Sequence, residues 1–144
     1  MSQVLHATLV ARRIAGLWRG ALIRGPSGAG KSTLALRCLD AGFRLVADDR
    51  VVVFASGGRV FGKPPRPLEG LIEVRSVGVV IASDITSLSE ISLVVDLVPE
   101  TDRTPEPAFE EVAGVSLPRL QLPLADADLP RRLTVALAAL QRGL

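Results

Sequence analysis

The stretch RGPSGAGKST, residues 24–33, constrains this chain more than any other segment. Gly25, Gly30, Lys31 and Ser32 satisfy G-x-x-x-x-G-K-[ST], the Walker A pattern. Its glycines let successive backbone N–H groups converge on phosphate oxygens without Cβ obstruction. The expected nucleotide-binding segment is Gly25, Pro26, Ser27, Gly28, Ala29, Gly30, Lys31, Ser32 and Thr33. Lys31 can reach the β/γ-phosphates, and the Ser32 hydroxyl can ligate Mg²⁺. Context decides whether such a match is more than a glycine-rich turn, and here it agrees. GALIRG (20–25) reads as a short apolar strand leading into the loop. Beyond it, Leu34, Ala35, Cys38 and Leu39 have helical spacing through Ala41, with Gly42 as the stop. Strand, glycine loop, helix is the order that faces backbone donors and the helix dipole toward an anion. Only two lysines occur, Lys31 and Lys63, against fifteen arginines. The loop keeps a compact ammonium where the chain otherwise uses a planar guanidinium, which suits the space between phosphates.

At 144 residues the length fits one domain, residues 1–144, able to bury roughly two-thirds of its unfolded surface. A composition 48% hydrophobic and 22% charged reads as a compact globule rather than a disordered chain. Its apolar runs are short and interrupted, so no membrane span and no secretory leader are expected. Cys38 stands alone, which rules out an intrachain disulfide and suits a reducing, cytoplasmic setting. A net charge of +2, scattered arginines and 3% aromatics without tyrosine argue against nucleic acid as a partner.

Strands dominate the rest of the pattern. VLHATLVARR (4–13) is predicted as a strand, and FRLVADD (43–49) as a buried strand ending in two acids. RVVVFASGGRVFG (50–62) predicts a hairpin closed by Gly57-Gly58. In KPPRP (63–67), Pro64, Pro65 and Pro67 predict an extended connector without helix. LIEVRSVGVVI (71–81) gives one or two strands around Gly78, and ISLVVDLV (91–98) another. ASDITSLSE (82–90) between them is a loop or one helical turn. PETDRTPEP (99–107) is a surface loop by composition, and VAGVSLPRLQLPL (112–124) predicts two strands broken by Pro118. LPRRLTVALAALQRGL (129–144) is helical, with Asp128 as N-cap, Pro130 in the first turn and Gly143 at the end. No internal repeat appears, and the regular β-α alternation of a doubly wound fold is absent.

Asp48-Asp49 closes an apolar strand. Neighbouring strand residues point to opposite faces, yet at a strand end both acids can approach one pocket. One would stand near a metal and the other near an incoming hydroxyl. The plain alternative is an Asp pair that only forms the turn into the following hairpin. Glu73, between Ile72 and Val74, faces away from its apolar neighbours as a metal ligand could, or as any half-exposed strand residue does. On the residues alone, His6 is a structural or solvated histidine as readily as a catalytic one, and Arg103 a solvated loop arginine as readily as one that neutralises phosphoryl charge.

These pieces together resemble the C-terminal catalytic domain of HPr kinase/phosphorylase, bacterial enzymes acting on a seryl residue of the phosphocarrier HPr. The matching residues are HATLV (6–10), RGPSGAGKS (24–32), GFRLVADDRV (42–51) and LIEVRSVGVV (71–80). The form resembled is the short α-proteobacterial type lacking the family's N-terminal domain. The resemblance implies an α/β P-loop domain with a strand-rich mixed sheet, related to phosphoenolpyruvate carboxykinases and assembled as a homo-oligomer, commonly a hexamer. It implies ATP and Mg²⁺ as cofactors and an HPr-like phosphocarrier as partner. His6 would assist the catalytic acid, Lys31 would contact phosphates, and Asp48-Asp49 would supply the base for the serine proton. Ser32, Asp49 and Glu73 would hold Mg²⁺ directly or through water, and Arg103 would fall near an active-site arginine. Two departures stand out: Ser76 occupies a position usually glycine in the family, and PLADAD (123–128) is acidic where the family carries lysine, glycine and arginine. The second bears on phosphorolytic dephosphorylation more than on kinase activity. A small-molecule kinase and a nucleotide-binding regulatory module without turnover are the competing readings.

Overall fold

The computed structural model describes residues 2–26, 28–101 and 106–141. It is an α/β arrangement whose nine-stranded mixed sheet runs β1-β5-β6-β9-β3-β2-β4, with β10 and β11 branching from β9. The strands are β1 (Ser2–Leu5), β2 (Thr8–Ile14), β3 (Leu17–Arg24), β4 (Arg44–Ala47), β5 (Val51–Ser56), β6 (Arg59–Lys63), β9 (Ser89–Val98), β10 (Ala108–Val112) and β11 (Val115–Pro123). A separate hairpin, β7 (Leu71–Val74) and β8 (Gly78–Ile81), forms a two-stranded sheet. The helices are α1 (Lys31–Asp40) and α2 (Leu129–Gln141).

Strand β9 organises the sheet. Its residues Ile91–Asp96 pair parallel with β3 along one edge. On the other edge its first residues pair antiparallel with β6, and residues Val94–Val98 pair parallel with β11. The centre of the sheet is therefore covered on both faces, and the alternation of β2, β3 and β9 sorts their side chains into two cores. Val10, Ala21, Ile23, Leu93 and Val95 face the helices, meeting Leu34, Ala35 and Cys38 of α1 and Leu129, Leu133 and Leu137 of α2. Leu9, Ala11, Leu22, Ile91 and Val94 face the other way, against Val51, Val53 and Val60 of the β5–β6 hairpin. The three α2 leucines recur every four residues and are fully buried, each contributing about 1.5–3 kcal/mol of apolar burial.

That second core approaches the backbone closely at Gly62. A Cβ there would lie 2.5 Å from Leu9 Cδ2 and 3.0 Å from Val51 Cγ1. Gly62→Ala is accordingly expected to lower unfolding stability by about 1–3 kcal/mol in urea titrations, the usual cost of overpacking.

Most predicted elements stand, and three are corrected. VLHATLVARR is two strands rather than one: β1 pairs with β5, β2 pairs with β3 and β4, and the chain breaks direction at His6-Ala7. The connector at 63–67 runs into a 3₁₀ turn at Arg66–Leu68, where Pro67 sits at the start and needs no N–H partner. β11 passes straight through Pro118, and the reversal comes earlier, at Ala113-Gly114 between β10 and β11. Pro118 precedes the ladder with β9, which begins at Arg119, so the missing donor falls where that pairing has not started. Gly143, the expected helix stop, lies outside the described residues.

Candidate active site

The glycine loop joins the end of β3 to the start of α1 as the pattern requires. Gly30 caps α1 at φ +99°, in the left-handed region, and no side chain caps the helix or places an acid in its first turn. The first N–H groups of α1 are thus left for an external acceptor. Lys31 is buried, and its Nζ donates to the carbonyls of Gly25 (2.7 Å) and Pro26 (3.1 Å). Two of the three ammonium donors hold the loop closed, and the third is available to an anion. Ala29 N–H donates to Pro26 C=O, closing the turn.

Opposite the loop, the two acids at the end of β4 separate. Asp48 is buried and collects three donors. Thr8 Oγ1 donates to its Oδ1 at 2.9 Å, Ser32 Oγ to Oδ1 and Oδ2 at 2.7 and 3.0 Å, and the backbone N–H of Glu73 to Oδ2 at 3.0 Å. Asp49 takes φ +69° and turns its carboxylate outward, 59% exposed, onto His6 Nε2 at 2.9 Å. That backbone state is one aspartate tolerates better than most residues. The sequence reading joined Asp49 to Ser32 and Glu73 around the cation. In the structure Ser32 meets Asp48, and Asp49 meets His6.

Both groups border one cavity of about 410 Å³. Of the expected residues, His6, Gly28, Gly30, Lys31, Ser32, Thr33, Asp48, Asp49 and Glu73 line it. Gly25, Pro26 and Ala29 stand behind it and shape the loop. Ser27 and Arg103 lie outside the described residues. The cavity also includes Leu68, Leu71, Ile72, Arg75 and Val79, contributed by the 3₁₀ turn and the β7–β8 hairpin, which the sequence reading did not assign to the site. Arg75 follows Glu73 by two residues in the same hairpin, a spacing that could have suggested it. Thr8 was missed as well; its only signal is the alternation that places it two residues after His6 on the segment facing the acids.

A second cavity, about 690 Å³, lies between α2 and the β10–β11 hairpin, lined by residues such as Leu93, Phe109, Pro118 and Leu140. Although larger, it is lined mainly by apolar side chains, with Glu106, Arg119 and Gln121 as its polar members, and it holds neither the glycine loop nor the acid pair, so the loop-and-acid cavity is the candidate active site. Cys38 is buried on the core-facing side of α1, and desolvation pushes its thiol up to about 12, which removes it as a nucleophile. Segment 123–128 is fastened to α1: Arg37 donates to the carbonyls of Asp126 and Ala127, and Asp126 takes the Asp128 N–H and the Arg132 guanidinium. The Asp128 N–H foremost, then the Arg132 side chain, hold the Asp126 carboxyl below its ordinary range.

The donor set suits a magnesium ion carried by a nucleotide. One buried carboxylate and one hydroxyl within 2.7 Å offer hard oxygens, and Mg²⁺ is commonly held by one or two carboxylates together with substrate phosphates. Residues 1–139 match the family model described as HPr Serine kinase C-terminal domain. The HPr kinase/phosphorylase of Streptococcus pneumoniae (strain Hungary19A-6) is 40% identical over 118 residues, covering 73% of this chain and 38% of that protein. The enzyme of the same name from Enterococcus faecalis (strain ATCC 700802 / V583) is 37% identical over the same coverage. The chain therefore spans 38% of the length of these curated relatives. The solved structure of the HPr(Ser) kinase/phosphatase from Coxiella burnetii superposes with a TM-score of 0.79 at 26% identity, covering 97% of this chain and 96% of that one. With a family match across almost its whole length, a relative at 40% identity and the same fold in a solved structure, this chain belongs to the HPr serine kinase C-terminal domain family.

Proposed function

We propose that the chain is a Mg·ATP-dependent protein serine kinase that phosphorylates a seryl residue of HPr or an HPr-like phosphocarrier. One observation carries the reading: Lys31, the Ser32–Asp48 pair and the His6–Asp49 pair border a single cavity. Phosphoryl transfer needs charge neutralisation on one side of the transferring group and a proton acceptor on the other, and the cavity has both.

The loop amides and the free N–H of Lys31 would bind the β/γ-phosphates. Ser32 and Asp48, with Glu73 at the rim, would hold Mg²⁺, which when bound offsets the charge on the phosphates. Asp49 is the base: it is exposed to an approaching protein, and His6 fixes its orientation from behind through the 2.9 Å contact. The serine hydroxyl gives its proton to Asp49 as its oxygen attacks the γ-phosphorus, and ADP leaves. Arg103 belongs to the same reading as a cation that would approach the phosphates from the 99–107 segment. Assembly with copies of itself and a cytoplasmic setting complete it.

Incubating the protein with HPr, Mg²⁺ and γ-labelled ATP is the test. Label on a carrier serine is the expected result; ADP production with small alcohols but not with any carrier would assign the site to a small-molecule kinase instead. Running the reaction backwards, from phosphoserine carrier with inorganic phosphate, is expected to be the weaker activity, since residues 123–128 are acidic and lack the lysine, glycine and arginine that the family resemblance would put there.

A further inference from the structure

We infer that Thr8 is a positioning residue for Asp48, its hydroxyl aiming that carboxylate at the cation; the inference rests on the assignment of Asp48 to the magnesium side of the cavity. Thr8 opens β2, is 0% exposed, and donates from Oγ1 to Asp48 Oδ1 at 2.9 Å. Its place follows from the ladder. β2 and β4 pair antiparallel with Leu9 opposite Ala47, so one further step along both strands brings Thr8 opposite Asp48. β4 has ended by then, and no strand pairing directs the Asp48 side chain. Its orientation is set by its three donors.

Those donors differ in kind. Ser32 is itself expected to face the cation, its oxygen lone pairs serving the metal while its single proton is shared between the two Asp48 oxygens. Thr8 and the Glu73 N–H have no such second duty. One binds Oδ1 from β2 and the other binds Oδ2 from β7, and the remaining contact of each oxygen is with Ser32 Oγ, a residue that lines the cavity. Thr8 is 0% and Asp48 5% exposed, so water has little room to replace the Thr8 hydroxyl when it is removed. The same short segment sorts both acids: His6 reaches Asp49, buried Ala7 follows, and Thr8 reaches Asp48.

The experiment compares Thr8→Val, which keeps the shape and removes the hydroxyl, with Thr8→Ser, which keeps the hydroxyl and removes a methyl. Binding of Mn²⁺, as a paramagnetic stand-in for magnesium, is titrated by electron paramagnetic resonance with ATP present, alongside thermal melting of each protein. Thr8→Val is expected to bind Mn·ATP about 10–100-fold more weakly, the usual consequence of losing a hydrogen-bond partner behind a metal ligand. Thr8→Ser is expected to bind as the unaltered protein does while melting at a lower temperature, so affinity follows the hydroxyl and stability follows the methyl. Equal affinity in Thr8→Val and the unaltered protein would overturn the inference alone. If Thr8→Val fails to fold, Thr8→Ser decides: unaltered affinity supports the positioning role, and a loss like that expected for valine overturns it. An unaltered protein that takes up no Mn·ATP would overturn the underlying reading as well.

Discussion

Asp49→Asn is expected to slow phosphoryl transfer to the carrier serine by about 10²–10⁴-fold while leaving Mg·ATP affinity close to normal, the range typical of a lost general base. Asparagine is the informative replacement. It has nearly the same shape, and it tolerates the left-handed backbone that Asp49 adopts at φ +69°, so the turn after β4 is preserved. What disappears is the ability to accept the serine proton. Stability is expected to move little, because Asp49 is 59% exposed and its contact with His6 is a surface polar contact of small worth. Single-turnover transfer from ATP, measured beside equilibrium nucleotide binding, checks this. An unchanged transfer rate would remove Asp49 as the base. A large loss of nucleotide affinity would instead place it on the magnesium side, where the sequence reading had it.

The proposed division of roles between the two acids marks where the sequence stops being informative. The loop, the helix after it and the acidic pair were legible because their chemistry is local: glycines at fixed offsets, a lysine, a helical apolar stripe. Which aspartate does what is not local. It depends on the left-handed turn at Asp49 and on donors from Thr8 and Glu73, 40 and 25 residues away in the chain. The break between β1 and β2 was hidden for a related reason. An apolar run such as VLHATLV supports a strand on either side of His6, and only the partners, β5 for one half and β3 with β4 for the other, show that the chain turns there. The same turn releases His6 from the sheet and lets it reach Asp49. Pro118 misled in the opposite direction, since a proline breaks a strand only where its missing donor would have been used. The hairpin wall of the cavity was read as strands without being read as part of the site, because nothing in LIEVRSVGVVI states which element it packs against.

Lys31→Met is expected to lower kcat for phosphoryl transfer by at least about 10²–10³-fold, with a smaller rise in KM for ATP, as for removal of a preorganised donor to developing charge. Methionine keeps most of the aliphatic stem and removes only the ammonium. Two effects then combine. The phosphates lose a buried cation, and the carbonyls of Gly25 and Pro26 lose the donor that holds the loop closed at 2.7 and 3.1 Å. The first acts mainly in the transition state, where charge on the bridging and terminal oxygens shifts. The second acts on the shape of the loop and is expected to appear in nucleotide binding. Lys31→Arg separates them. Its guanidinium retains the charge but, being planar and larger, does not fit the space filled by a compact ammonium, so recovery well short of the unaltered rate is expected. Full activity in Lys31→Arg would mean that charge alone matters and that the loop's close fit around this lysine has no catalytic consequence. Full activity in Lys31→Met would mean that the phosphate is held elsewhere, and that the cavity between the glycine loop and the two aspartates is not where transfer occurs.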